Sequence, residues 1–206
     1  MKGLIPTSDY MKLILNKDSG LLPRGKVLSH VSVFELPVYR ASHDKLLFAA
    51  DVAIIPQPDK AAKIQILEYC LQAARSFGVA EPRAALIAAT AKVSRHMPAT
   101  VDAAEITAEG AFGDAIVKGP LALDVALSPE SCAIKGLNSA VDGQADILVF
   151  PNIETGNVFY KTCTLLAGAR LAAAVVGTSA PCILTSRADS EESKFLSIAM
   201  GCRLVD

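Results

Sequence analysis

The fold of this chain is decided by two segments, ADILVFPNIETGNVFYK at residues 145–161 and AAAVVGTSAPCILTSRA at residues 172–188. Each contains a short apolar run, at 147–150 and at 173–177, of the kind that is typical of a strand buried on both faces. Polar turn residues follow each run, and a helix is predicted after each turn. Two helix N-termini are therefore expected beyond the carboxyl ends of strands, where open α/β sheets bind their ligands.

Segments typical of strands and helices alternate along the rest of the chain. The other predicted strands are 28–36, 46–50, 84–89 and 115–117, the last ending at a Lys-Gly-Pro turn. The predicted helices are one that begins at Thr7, then 59–77, 100–109, 121–127, 129–135, 154–166 and 189–200. This alternation predicts an α/β protein with a mostly parallel or mixed sheet.

The composition agrees with a sheet covered by helices and excludes several classes of function. Hydrophobic residues make up 51% of the 206 residues, aromatic residues make up 5%, and Trp is absent. These values indicate an aliphatic core. The formal net charge is −1, so no overall field attracts nucleic acid or an anionic membrane. An anionic substrate must be held by a few local cations.

The cysteines and the apolar runs indicate the cellular compartment in which the protein is expected. The five cysteines are an odd number and form no C-x-x-C pair; they are Cys70, Cys132, Cys163, Cys182 and Cys202. In a chain of this size they indicate reduced thiols in a cytoplasmic protein. We expect no signal peptide before Thr7 and no membrane span, because no apolar run approaches about 18 residues.

Ser186 and Arg187 are the first candidates for chemistry, since they lie between the last predicted strand and the last helix. An arginine offers a fixed fork of donors that suits a phosphoryl group, and the serine hydroxyl can donate to the same group. The alternative is structural: Ser186 forms a turn and Arg187 is a solvated residue at a helix start. From the residues alone, both interpretations stay open.

Several polar residues at predicted helix starts have competing structural explanations. Asp189 and Glu192 form a D-x-x-E pattern that is typical of a capping box, although either carboxylate can also act as a base. Thr155 or Asn157 is expected to cap the helix from 154, and Thr100 the helix from 100. We predict no metal site, because the histidines lack partners at ligand spacing, and no nucleotide fingerprint occurs.

Five linked motifs resemble the phosphate acetyl/butyryltransferase family, most of all its butyryltransferase branch. The motifs are LSHVSVFELP (28–37), MPATVDAAEI (97–106), GPLALDVAL (119–127), FPNIETGNVFYK (150–161) and APCILTSRADSEESK (180–194). The resemblance covers nearly all of this chain. Family members usually begin with a further segment, so roughly the first third of the family pattern is expected to be missing before Met1.

The resemblance implies an architecture. It predicts a two-domain α/β fold like that of the isocitrate and isopropylmalate dehydrogenases, with the active site in the cleft between the domains. Residues 1–26 are then a remnant of an incomplete first domain, residues 27–182 form the second domain, and residues 183–206 return to the first as a C-terminal helix. A homodimer or a larger homo-oligomer is also implied.

The resemblance further implies an acyltransferase that catalyses acyl-CoA + phosphate = acyl phosphate + CoA, with CoA as a substrate and no bound cofactor. The residues that it assigns to catalysis are Ser186 and Arg187. The acetyltransferase branch has an acidic residue a few places after this pair, thought to take the proton from the CoA thiol. In this chain the register falls on Glu192 and Ser193, so the carboxylate does not transfer cleanly, and Asp189 and Glu192 are both candidates for the catalytic base. The residues that it assigns to substrate binding are Glu154, Gly156, Asn157, Tyr160, Lys161, Gly119, Pro120 and Asp124. The chain departs from the family pattern directly before Gly119, where it has Lys118 and relatives commonly carry an acidic residue.

Two other functions remain as alternatives. The chain can be a truncated, catalytically inactive relative that binds CoA or a partner chain, since without a first domain the cleft lacks one wall. An oxidoreductase on the same fold is disfavoured, because neither metal-binding aspartates nor a nucleotide fingerprint is evident.

Overall fold

The computed structural model describes residues 1–185 and 189–205 and contains one mixed six-stranded sheet in that part of the chain. The strands are β1 (Ser29–Glu35), β2 (Leu47–Ala50), β3 (Arg83–Ile87), β4 (Ile116–Leu121), β5 (Ile147–Val149) and β6 (Arg170–Val176). Their order across the sheet is β4-β3-β5-β2-β1-β6. β1 runs antiparallel to both of its neighbours, whereas β4, β3, β5 and β2 pair in parallel.

Helices cover both faces of the sheet. They are α1 (Thr7–Ile14), α2 (Pro37–His43), α3 (Lys60–Ser76), α4 (Pro98–Glu109), α5 (Leu123–Leu127), α6 (Pro129–Lys135), α7 (Ile153–Leu165) and α8 (Glu191–Arg203). Side chains of α3, α4 and α8 share one apolar core with the sheet, and those of α2, α5, α6 and α7 share a second. No described helix is long and apolar enough to cross a membrane.

The strands alternate between the two cores with the period of two that strand geometry requires. In β2, for example, Leu47 belongs to the core beneath α7 and Phe48 to the core beneath α3, and both are fully buried. The prediction of strands buried on both faces is confirmed, because continuous aliphatic runs are what a sheet with helices on each side requires.

Most predicted elements are present, but one helix was not predicted and the end of one strand was predicted wrongly. No helix was predicted in the polar segment after β1, which forms α2 with Pro37 in its first turn. β4 was expected to end at residues 118–120 but continues to Leu121, whose carbonyl accepts a hydrogen bond from Ala88 N at 2.9 Å. A Gly-Pro pair usually marks a turn, but here it lies within the strand.

Close packing explains the glycine within β4. A Cβ atom on Gly119 would lie 2.5 Å from Leu86 Cβ and 3.0 Å from Ala103 Cβ. The absence of a side chain therefore lets β4 approach β3 and α4. The Gly119 carbonyl accepts a hydrogen bond from Thr107 Oγ1 at 3.2 Å, which ties β4 to α4 a second time.

The predicted cap of α4 was also wrong. The helix begins at Pro98, and Thr100 lies buried in its first turn. The Thr100 hydroxyl donates to the Met97 carbonyl at 2.7 Å and accepts from Ser94 N at 2.8 Å. Thr100 thus fixes the loop before α4, and it does not precede the helix as a cap does.

The last helix packs along the last strand of the sheet. The hydroxyl of Ser197 in α8 accepts a hydrogen bond from Ala173 N in β6 at 3.0 Å, and buried Met200 belongs to the core shared with α3. These contacts attach α8 to β6 and to the core shared with α3, within the predicted second domain (residues 27–182). The division of the chain at residues 1–26, 27–182 and 183–206 stays a prediction.

The packing around Gly119 gives a test of stability. We expect Gly119→Ala to lower the free energy of unfolding by about 1–3 kcal/mol, because the added methyl group must displace Leu86 or Ala103. Urea denaturation measures this change. Gly3→Ala is the matched control, since no atom lies within 4 Å of a Cβ there. Equal stability of the two variants would contradict this account of β4.

Candidate functional site at the carboxyl edge of the sheet

A cavity of about 230 Å³ lies beside the carboxyl ends of β2 and β5, where β1 begins. β1, the loop after β2, α7, the segment after β6 and α1 all contribute to its wall. The lining residues in the described part of the chain are Thr7, His30, Val52, Ala53, Asn157, Tyr160, Lys161, Leu184 and Thr185. Three of the predicted substrate-binding residues, Asn157, Tyr160 and Lys161, therefore lie together at one cavity.

A buried carboxylate shapes the loop that forms one wall. Asp51 follows β2, is 1% exposed, and accepts hydrogen bonds from the backbone N–H groups of Ala53 at 2.7 Å and Ile54 at 2.8 Å. The hydroxyl of Ser29 in β1 donates to the same carboxylate at 3.0 Å. Asp51 was not among the predicted site residues. The available signal was an aspartate directly after the apolar run LLFAA.

The first turn of α7 packs against this loop. A Cβ atom on Gly156 would lie 2.1 Å from the Asp51 carbonyl oxygen, so only glycine allows the helix to approach so closely. The Asn157 side chain donates from Nδ2 to the Val52 carbonyl at 3.1 Å. Together these contacts hold the loop and the helix in register at the cavity.

The cap of α7 differs from the prediction. Asn152 is the N-cap, and its side chain accepts a hydrogen bond from Thr155 N at 3.0 Å. Asn157 lies inside the helix with its amide at the cavity. Glu154 is exposed and is not among the described residues that line the cavity, so its role in substrate binding stays a prediction.

Tyr160 connects the cavity to Asp189. The Tyr160 hydroxyl lies 3.3 and 3.4 Å from the two Asp189 carboxylate oxygens, to which it donates. Burial raises the pKa of Tyr160, and the negative charge of Asp189 raises it further. The phenol therefore stays protonated and remains a donor. The Lys161 ammonium lies 4.8 Å from the centre of the Tyr160 ring, a cation–π contact that places a positive charge at the cavity.

The segment after β6 turns back along the strand before it reaches the cavity. Val175 N donates to the Cys182 carbonyl at 2.7 Å, in an antiparallel bridge. Leu184 and Thr185 then line the cavity. Ser186 and Arg187 follow directly in the sequence and lie outside the described residues, so their predicted roles stay predictions.

The two predicted acidic residues lie in different surroundings. Ser190 caps α8, because its side chain accepts a hydrogen bond from Ser193 N at 3.1 Å. The prediction of a capping box formed by Asp189 and Glu192 was therefore wrong. Glu192 is exposed and accepts two hydrogen bonds from the Arg170 guanidinium, at 2.6 and 2.9 Å. Asp189 faces Tyr160.

The motif GPLALDVAL lies far from this cavity across the sheet. Gly119 and Pro120 belong to β4, an edge strand that β3 and β5 separate from β2. Asp124 in α5 pairs with Lys135 in α6, and this hydrogen bond is the main reason that the pKa of Asp124 lies below its ordinary value. The described structure therefore does not bring Gly119, Pro120 or Asp124 to the cavity lining, and their predicted role in binding stays a prediction.

The remaining titratable groups offer no metal-binding cluster in the described part of the chain. Over residues 1–185 and 189–205, no group of three or more His, Cys, Asp or Glu side chains is placed to hold a metal ion. All five cysteines are free, and Cys202 is the exposed one.

Comparisons with known proteins identify similar chains. The family model described as "Phosphate acetyl/butaryl transferase" matches residues 7–202. Phosphate butyryltransferase of Clostridium acetobutylicum is 44% identical over 204 residues, which cover 98% of this chain and 66% of that relative. Phosphate acetyltransferase of Thermotoga maritima is 39% identical, over 98% of this chain and 68% of that protein.

Solved structures give a similar result. The structure of a branched-chain phosphotransacylase from Enterococcus faecalis V583 superposes with a TM-score of 0.89 and 38% sequence identity. The superposition covers 99% of this chain and 72% of that structure. The chain thus spans about two thirds of the length of these curated relatives.

The burial of His30 predicts that the stability of the protein depends on pH. The His30 side chain is buried, and burial lowers its pKa, while Asp51, the Leu184 carbonyl and Asp189 act in the opposite direction. In the unfolded chain its pKa is about 6.5. The stability that neutral His30 contributes is therefore fully present above about pH 6.5, and it is lost as the pH falls below this value toward the folded pKa.

We therefore expect the free energy of unfolding to fall less steeply in His30→Gln than in the wild type, between about pH 7.5 and about pH 5. Urea denaturation at several pH values measures the two slopes. His96→Gln, at an exposed position, should keep the wild-type slope. A wild-type slope in His30→Gln would contradict the buried neutral imidazole.

Proposed function

The chain belongs to the phosphate acetyl/butyryl transferase family, and we propose that it transfers a short acyl group between CoA and inorganic phosphate. The reaction is acyl-CoA + phosphate = acyl phosphate + CoA. One structural observation carries the proposal. Asn157, Tyr160 and Lys161 of the FPNIETGNVFYK motif share a cavity with Leu184 and Thr185, which directly precede Ser186 and Arg187 in the sequence.

The proposed mechanism is direct transfer. The CoA sulfur attacks the carbonyl carbon of the acyl phosphate, a carbon–sulfur bond forms, and the carbon–oxygen bond to the phosphoryl group breaks. Arg187 and Ser186 hold the phosphate as it leaves, since a guanidinium fork matches phosphoryl oxygens whose charge changes in the transition state. In the other direction, a phosphate oxygen attacks the thioester. Catalysis then depends on positioning and electrostatics, without a covalent enzyme intermediate.

We propose Asp189 rather than Glu192 as the group that takes the proton of the CoA thiol. Glu192 is held by the guanidinium of Arg170, which also binds Glu35 at 2.6 Å. Asp189 contacts Tyr160, which lines the cavity. A thiol with a pKa of about 8.5 needs only modest help from a base.

The proposed occupant of the cavity is the reacting end of the substrates. Its volume of about 230 Å³ is smaller than that of typical drug-sized ligand pockets, which span roughly 300–1,000 Å³. We propose that the rest of CoA lies in a cleft formed with a first domain, in the two-domain arrangement of the isocitrate and isopropylmalate dehydrogenases. A homodimer or larger homo-oligomer and a cytoplasmic location are part of the same proposal.

A butyryl-like or other short chain is the proposed acyl group. The curated relatives are named for butyryl and acetyl transfer, and the Enterococcus faecalis protein for branched-chain acyl groups. The apolar side chains of Val52 and Leu184 at the cavity are suited to an aliphatic chain. The comparisons give no support to the alternative, an inactive relative.

The proposed role of Arg187 is tested by substitution. We expect Arg187→Ala to lower phosphate-dependent release of CoA from butyryl-CoA by about 100-fold or more. Arg187→Lys should recover only part of the rate, because an ammonium group lacks the fork of donors. Arg40→Ala, which removes an exposed ion pair with Asp44, is the matched control. Unchanged turnover in Arg187→Ala would refute the assignment.

The proposed base is tested against its neighbours in the sequence. We expect Asp189→Asn to lower kcat by about 10²-fold, the lower end of the usual range for a general base, and Glu192→Gln to have a much smaller effect. Glu191→Gln, at an exposed position in the same turn, is the control. Steady-state kinetics over pH separate the three. A larger loss in Glu192→Gln than in Asp189→Asn would reverse the assignment.

A further inference from the structure

The short segment that leads to Ser186 is held at three consecutive carbonyl groups. The Cys182 carbonyl accepts from Val175 N at 2.7 Å, and the Ile183 carbonyl accepts from Lys2 N at 2.8 Å. The Leu184 carbonyl lies 3.2 Å from His30 Nε2. Of these three carbonyl groups, that of Leu184 is the nearest to Ser186 in the sequence, and it is the one held by a side chain. His30 is therefore the side chain that holds the end of the segment.

The surroundings of His30 define its tautomer. A carbonyl oxygen can only accept, so Nε2 carries the hydrogen and donates it to Leu184. Nδ1 is then an acceptor, which agrees with the Ser32 hydroxyl at 3.4 Å. The side chain is 4% exposed and borders the cavity. Burial lowers the pKa of His30 more than Asp51 and Asp189 raise it, so both nitrogens keep these roles near neutral pH.

We propose that His30 is a positioning residue, whose neutral Nε2–H imidazole fixes the Leu184 carbonyl and thereby holds Leu184 and Thr185, the residues that precede Ser186 and Arg187 in the sequence. This inference rests on the proposed function, in which those two residues hold phosphate. His30 acts through the backbone of the segment, because its Nε2 hydrogen is already donated to Leu184.

Kinetics of two variants test the consequence for phosphate. We expect His30→Ala to raise the KM for phosphate about tenfold, the factor that a free-energy difference of about 1.4 kcal/mol produces. The KM for acyl-CoA should change much less. In His30→Gln the side-chain amide can still donate to the Leu184 carbonyl, so this variant should recover most of the loss.

A core variant separates positioning from general loss of stability. Ile66→Val removes one methylene from the core beneath α3, away from the cavity, and should leave both KM values unchanged. Equal KM values for phosphate in His30→Ala and the wild type would overturn the proposal. So would a loss in His30→Gln as large as that in His30→Ala.

Nitrogen-15 NMR of labelled histidine tests the hydrogen bond without turnover. The chain has three histidines, so His43→Gln and His96→Gln assign the spectrum. We expect His30 to be neutral at about pH 7 with hydrogen on Nε2; an Nδ1–H or charged form would overturn the proposal. If the wild type neither turns over nor binds phosphate, the proposed function fails, and the NMR result alone decides whether His30 anchors the segment.

Discussion

The candidate site depends on the hydrogen bonds that the Asp51 carboxylate accepts. The carboxylate accepts hydrogen bonds from three backbone N–H groups of its own loop and from the Ser29 hydroxyl at the start of β1. The loop that it shapes then packs against α7. Gly156 lies close to the Asp51 carbonyl, and Asn157 donates a hydrogen bond to the Val52 carbonyl. A buried charge with four donors is stable where an unpaired one is not. One side chain thus sets the relative positions of β1, β2 and α7.

Much of the fold could be predicted from the sequence, because its strands are continuous aliphatic runs separated by amphipathic segments. The failures have local causes. α2 is short, and its polar residues resemble those of a loop. In β4 the Gly-Pro pair resembles a turn, and only the distance from Gly119 to Leu86 explains why a strand needs glycine there. Such distances between elements cannot be derived from one sequence.

The candidate site was predicted in part, for a similar reason. Asn157, Tyr160 and Lys161 are near one another in the sequence, and helical geometry places them on one face. His30 is more than a hundred residues away, and it reaches the cavity because β1 inserts antiparallel between β2 and β6. The assignment of Gly119 and Asp124 to the site rests on the resemblance and stays a prediction, since the strand order places β4 at the edge of the sheet away from the cavity. Strand order and side-chain burial were the missing information.

The two edges of the sheet are protected against pairing with other chains. At one edge, the segment around Cys182 covers the end of β6 by bonding to Val175. At the other, β4 carries the exposed ammonium of Lys118 and, two residues later, Pro120, which has no N–H to donate. Charged residues and prolines on edge strands discourage the addition of a further strand. The sequence KGP in β4 therefore helps to keep a strongly aliphatic sheet from forming intermolecular β-structure during synthesis and folding.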